Sequence, residues 1–338
     1  MSQSSVLFRT KFGTQSSAWS MRLMLAALLA FASEIVLWTN PPARTPLDWI
    51  MLALGYPALS ALLLEIAARY RLRDAFGVLT LAGVYGMLNG LILNPDSALI
   101  DVPRTLITRA MGAHAAAGLV ALALFLALTG GKPRSRRGLI VMIVLALGIG
   151  VAWGTWARWS PLVFSNQPET ELWLLLLYAG IGICLVALAL ILTRRVPAAP
   201  LDLRLDARGW AFTLIVLGGL LVIHLLQGEI DALSLSIIVT LTVFSVMIIW
   251  FQKRSKGATL LDGIGSRPPS ARLMAVVMVA FALAGAVGYS LPRGSEAASD
   301  PLALISALFT AFGLIWLPAV SIVLGARAFS RQARAMNL

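Results

Sequence analysis

Apolar residues in this chain come in long, nearly unbroken runs. Ten can be read, at 21–38, 47–68, 75–93, 104–128, 139–157, 172–192, 210–226, 233–251, 273–291 and 302–324. Each is near the ~20 residues that a helix needs to cross a hydrocarbon core ~30 Å thick. Lipid offers no partner to an exposed backbone N–H, and no stretch alternates as barrel strands do, so each run predicts a spanning helix. The connections are short and leave no room for a soluble domain. The pattern predicts an all-α, polytopic integral membrane protein with about ten transmembrane helices. A polar N-terminal tail covers 1–20, the ten-helix domain 21–324, and a basic C-terminal tail 325–338.

Composition and charge sharpen this reading. The chain is 59% hydrophobic and 12% charged, with a mean hydropathy of +0.86, which excludes an ordinary soluble domain. With the N-terminus inside, 22 of the 27 Lys and Arg residues fall in inside segments. Only Arg44, Arg104, Arg109, Arg158 and Arg293 fall outside. One miscounted helix would invert everything after it, so the distribution supports both the number of spans and cytoplasmic N- and C-termini. The implied location is the cytoplasmic membrane. The formal charge of +12 is split among short segments, which speaks for anionic lipid at the cytoplasmic face and against nucleic acid. Ala30 and Ala32 resemble a cleavage site, but the apolar run continues through Ile35, Val36 and Leu37, which favours an uncleaved helix. The single cysteine, Cys184, allows no internal disulfide and reads as buried helix.

Small residues mark expected helix contacts. Gly86 with Gly90, and Gly150 with Gly154, form G-x-x-x-G pairs that let backbones approach closely. Pro57 and Pro318 lie within helices and predict kinks.

Ionisable residues inside the runs are the first candidates for chemistry. Glu34 lies one turn before the outer end of helix 1, and a short carboxylate there needs a partner such as Arg44 or Arg109. Glu65 precedes Arg69 by four residues and is expected to reach the cytoplasmic surface. Asp101, Thr105 and Arg109 are spaced by four and can share one stripe. His114 lies five residues past Arg109, about 140° round an α-helix at ~100° per residue, and so off that stripe. His224 is near the outer end of its helix, with Gln227, Glu229 and Asp231 close behind. No spacing supports a zinc site, and the D-G-I-G-S stretch at 262–266 lacks the strand and lysine of a nucleotide loop.

Six tryptophans fall near the outer interface, as an aromatic belt requires. Three of them, Trp153, Trp156 and Trp159, crowd into G-V-A-W-G-T-W-A-R-W-S-P at 150–161, where the spacing puts the rings roughly on one helix face. With Asp101-Val102-Pro103 before helix 4 and His224 ending helix 7, this arrangement resembles the haem-handling membrane proteins of cytochrome c maturation. That family has a six-helix core with a tryptophan-rich outer segment, W-G-x-W-W-x-W-D, between histidine-bearing outer loops. The resemblance covers 75–251, and Glu171-Leu172-Trp173 with Leu177-Tyr178 resembles the family's next helix. Ala157 stands at the middle tryptophan, Ser160 at the aspartate and Asp101 at the first histidine, which leaves His224 as the carried-over ligand.

The resemblance implies haem as cofactor and a role in haem handling or assembly, or as a non-catalytic subunit among the partners of a membrane cytochrome complex. Trp153, Trp156 and Trp159 would then form the haem-facing or partner platform, with Asp101 and His224 beside it. The residues alone also support a small permease or exporter, with Glu34, Asn89, Arg109 and His114 facing a cavity. A third reading is a membrane enzyme acting on a lipid-linked substrate at the outer leaflet. There Arg104 and Arg109 would hold phosphate, and Asp96 or Asp101 would serve as acid or base.

Overall fold

The computed structural model describes residues 3–39, 41–130, 136–165, 168–194, 201–250, 258–264, 271–292 and 301–336. The regular structure among them is helical throughout. α1 (Gln3–Ala30) runs on as a π-helix over Phe31–Val36 and is followed by α2 (Pro46–Arg69) and α3 (Ala75–Ile92). The short α4 (Pro95–Ala98) precedes a second π-helix, Leu106–His114, which continues as α5 (Ala115–Thr129). Then come α6 (Arg136–Ser165), α7 (Leu172–Thr193), α8 (Ala207–Leu226), α9 (Ala232–Trp250), α10 (Ala271–Ser290) and α11 (Pro301–Met336).

Among the described residues, nine spans are long and apolar enough to cross a membrane, and the tenth apolar run corresponds to a shorter apolar helix, Met274–Ser290 of α10. The chain is a multi-pass membrane protein. Most ends match the apolar runs to within a few residues. Three do not: α1 starts at Gln3, α6 passes Pro161 to reach Ser165, and α11 continues to Met336. An apolar run records the thickness of lipid to be crossed, whereas backbone bonding continues until a breaker or cap stops it. Lys132, Arg134, Arg195, Lys253, Arg254, Lys256, Arg267 and Arg293, used above to infer orientation, lie outside the described residues.

The helices form two compact units. Unit 1 comprises Met1–Thr45, Leu124–Arg204 and Asp262–Ile305; unit 2 comprises Pro46–Ala123, Leu205–Leu261 and Ser306–Leu338. The stretch 75–251 contributes to both.

In unit 1, α6 lies backbone to backbone against α10. A Cβ on Gly154 would come within 1.9 Å of the Gly285 carbonyl oxygen, and one on Gly288 within 2.0 Å of the Val151 oxygen. The Gly150/Gly154 pair expected from the sequence is this contact. α1 packs on α7, where Gly182 leaves room for the Phe31 ring. A core of Ile35, Trp38, Trp153, Leu175 and Phe281 closes the end of the unit that holds the tryptophans. Cys184 sits on the exposed face of α7, next to Leu185 and one turn before Leu188, not in buried helix as expected. An apolar helix in lipid is apolar on its outward face too, so hydropathy does not tell the two faces apart.

In unit 2, α3 packs against the second π-helix and α9, and α2 against α8. Gly86 and Gly90 act as expected: added Cβ atoms would strike the Ala110 carbonyl oxygen at 2.3 Å and the Ala110 Cβ at 2.9 Å. On α11, Trp316 lies over Gly83. Three aspartates start helices here by accepting backbone N–H groups. Asp74 takes Gly77, Asp206 takes Gly209, and Asp231 takes Ser234, each at 2.8 Å.

Candidate functional site

Two polar sites stand out, one in each unit. In unit 1 the π-helix sets the site. Its Ala32 carbonyl accepts from Leu37 N–H at 3.0 Å, and Trp38 then turns into the left-handed region at φ 52°. A helix end leaves carbonyls without intrahelical donors, a severe cost in lipid. Two indoles answer this. Trp153 Nε1–H donates to the Ile35 oxygen at 2.7 Å, and Trp156 Nε1–H to the Leu37 oxygen at 2.6 Å. The Trp38 indole donates to Thr170 Oγ1 at 3.1 Å, and its ring meets Tyr178 edge to face.

Trp153 is only 1% exposed and stacks on Phe281 at 4.9 Å. It belongs to the interior of unit 1, so the face that a platform could present is reduced to Trp156 and Trp159. The Arg158 guanidinium lies over the Trp159 and Tyr289 rings at 4.2 and 4.7 Å, and it pairs with Glu169 at 2.8 Å. Three tryptophans at this spacing are thereby explained by two interior hydrogen bonds and one cation–π contact.

Glu34, in the same π-helix, is 2% exposed and pairs with Arg44 at 2.7 Å, the first of its two expected partners. Thr39 adds its hydroxyl to the same carboxylate oxygen at 2.5 Å. Thr39 reaches Glu34 from beyond the end of the π-helix, after the chain has turned at Trp38.

Unit 2 holds the other candidates. Asn89 is fully buried on α3, and its amide nitrogen donates to Tyr56 and Tyr85 hydroxyls, both at 3.1 Å. Its carbonyl oxygen accepts from Asn94 Nδ2 at 2.9 Å. This network of buried amides and phenols lies against the helix that carries Arg109 and His114. Ala110 packs on Gly86 and Gly90, and the Tyr85 ring covers Gly118, one turn beyond His114. His114 is 2% exposed, and Arg109 is part-buried with Asp96 as its electrostatic partner.

The π winding also corrects the expected geometry. On an α-helix His114 would lie well round from Arg109. With i to i+5 bonding over Leu106–His114, the two stand one turn apart along the same side. Of the expected stripe of Asp101, Thr105 and Arg109, the first two residues meet directly, the Thr105 hydroxyl accepting from Asp101 N–H at 3.2 Å. Asp101 is exposed and faces Arg104 at 3.8 Å, an ion pair in water worth little. Glu65 also differs from expectation. It meets Arg69 at 2.7 Å, but the carboxylate is 1% exposed, and its other oxygen takes the Leu205 N–H at 2.6 Å.

His224 is buried at the end of α8, where its Nδ1 meets Glu229 Oε2 at 2.6 Å. The Glu229 N–H also donates to the His224 carbonyl oxygen at 3.1 Å, closing the turn around Gly228 at φ 73°.

Sequence reasoning missed Tyr56, Tyr85 and Asn94. The available signal was their polarity within or beside apolar runs. No family model, curated protein or solved structure matches the chain.

Proposed function

We propose that this multi-pass protein is a small permease whose working site is the polar cluster of unit 2. One observation carries the reading. The π-helix puts Arg109 and His114 a turn apart on one side, on the helix that packs against the buried Asn89–Tyr56–Tyr85–Asn94 network. Polar groups at this depth are costly and mark solute or proton pathways. A π segment replaces regular helix where function asks for a different alignment of side chains. The amide and phenol groups are donors and acceptors that a polar solute can engage by exchange with the bonds they make to one another. Imidazole is the side chain whose charge changes nearest neutral pH, which suits a proton-coupled step. Glu34 is not part of this cluster: it is neutralised by Arg44 within unit 1.

The test uses protons as the probe. Purified protein is reconstituted in liposomes holding a pH-sensitive dye, and a potassium diffusion potential is imposed. The expected result is faster proton movement than in protein-free liposomes, abolished in His114→Gln and weakened in Asn89→Leu. Rates equal to protein-free liposomes, or an undiminished rate in His114→Gln, overturn the reading.

A specific observation favours haem handling as a second reading. Glu229 holds His224 through Nδ1 and leaves Nε2 as the ligating nitrogen, the way second-shell carboxylates orient metal-bound histidines. Haem would be held by His224, and the group would supply redox chemistry or simply be passed on. Trp153 does not fit a haem-facing role, because it is buried and its N–H is donated to α1's π-helical extension. A Soret band that stays with the purified chain and weakens in His224→Ala is expected on this reading, and its absence removes it.

A further inference from the structure

The turn between α2 and α3 in unit 2 is rich in arginine. Arg69, Arg71 and Arg73 fall within five residues. The turn is firmly held. Tyr70 N–H donates to the Ile66 oxygen at 3.0 Å, Leu72 N–H to the Ala67 oxygen at 3.0 Å, and Leu260 N–H to the Leu72 oxygen at 2.8 Å. Arg71 takes the left-handed position after the helix, at φ 56°, where glycine is the usual residue. An arginine is kept there against its conformational preference.

The carboxylates flanking the turn are committed. Glu65 takes Arg69 and the Leu205 N–H. Asp74 caps α3 and pairs with Arg327. Arg73 is left over: its Nε and Nη2 are buried and donate to no acceptor among the described residues. Those two nitrogens share one edge of the guanidinium. Their N–H groups point in parallel and match two oxygens of one oxoanion. A pair of buried donors without an acceptor is costly, and an anion from outside the chain removes that cost.

We infer that Arg73 is a binding site for the phosphate of an anionic phospholipid at this end of unit 2. The site lies where two spanning helices, α2 and α3, end and begin, at the depth of lipid headgroups. The positive-inside pattern puts it at the cytoplasmic leaflet, the one that concentrates anionic lipid. The unpaired guanidinium edge of Arg73 supplies the positive charge that favours an anionic over a zwitterionic headgroup. The inference stands independently of the transport reading.

The test is native mass spectrometry of the full chain in detergent, titrated separately with phosphatidylglycerol, phosphatidylcholine and inorganic phosphate. The expected result is retention of phosphatidylglycerol in preference to phosphatidylcholine. Arg73→Gln should lower that retention about tenfold or more, the size expected for a charge-assisted bidentate contact. Arg73→Lys, which keeps the charge and loses the fork, should fall between and remain folded if the glutamine variant does not. Arg137→Gln, at an exposed arginine of unit 1, should change nothing. Equal losses in Arg137→Gln and Arg73→Gln would mean diffuse surface charge and overturn the site. Undiminished retention in Arg73→Lys overturns the bidentate contact. Displacement of lipid by millimolar inorganic phosphate would make the ligand a free anion and overturn the lipid assignment.

Discussion

Glu34 shows how far a single residue can be read. Its place in an apolar run calls for a partner, and Arg44 is ten positions on, across a turn. The structure joins them at 2.7 Å, with side-chain exposures of 11% for Arg44 and 2% for Glu34. Removing one member of such a pair strands the other charge, whereas removing both does not. Arg44→Gln should therefore cost roughly 3–5 kcal/mol of stability. The Glu34→Gln/Arg44→Gln double variant should cost clearly less than Arg44→Gln alone. Denaturant unfolding in detergent measures this, and losses that simply add would show that the two charges do not interact. Trp153 illustrates the opposite case. Its ring was legible as one of a cluster at an interface. Its burial was not, because its acceptor, the Ile35 oxygen, is 118 residues away and is a backbone group that no sequence motif announces.

At the scale of elements, the apolar runs were legible and the π-helices were not, while the aspartate caps came to light only in the structure. Asp74, Asp206 and Asp231 each precede a helix by one residue and bond the N–H three positions on, a local signal. For Asp231 this has a pH consequence. The Ser234 hydroxyl and backbone N–H hold its carboxyl below the usual carboxylate value. The folded chain then binds fewer protons there than the unfolded chain. The stabilisation is complete above the unfolded value of ~3.9 and is lost as pH falls through the lower folded value. The difference in melting temperature between wild type and Asp231→Ala should be constant above about pH 5 and should close below about pH 4. A difference that does not change across that range would mean that the cap acts without its charge.

The π segments have no such local mark. Phe31–Val36 and Leu106–His114 read as ordinary helix, and an ordinary helix puts His114 on the wrong side relative to Arg109. The second of them is closely packed on both sides: Gly86 on α3 meets the Ala110 oxygen, and Gly313 on α11 meets the Ile107 oxygen. Those neighbours are distant in sequence, so the setting of the segment has no local mark.

For the whole molecule, the sequence by itself determined the class. Ten apolar runs of bilayer length leave helices as the only workable backbone, because each helix satisfies its own N–H and C=O groups within one segment. The distribution of basic residues points to an orientation by the same local reasoning. Only the tertiary structure decided how those helices divide into two units and which polar residues share one. It placed Glu34, Trp153, Trp156 and Trp159 in unit 1, and Asn89, Arg109, His114 and His224 in unit 2. It also set which glycines pair and which indole meets which carbonyl. The physical reason is that lipid treats every apolar face alike, so hydropathy fixes where a helix runs and says nothing about what it faces. That choice is made by close packing and by the demand of each buried polar group for a partner, and both depend on residues far apart along the chain.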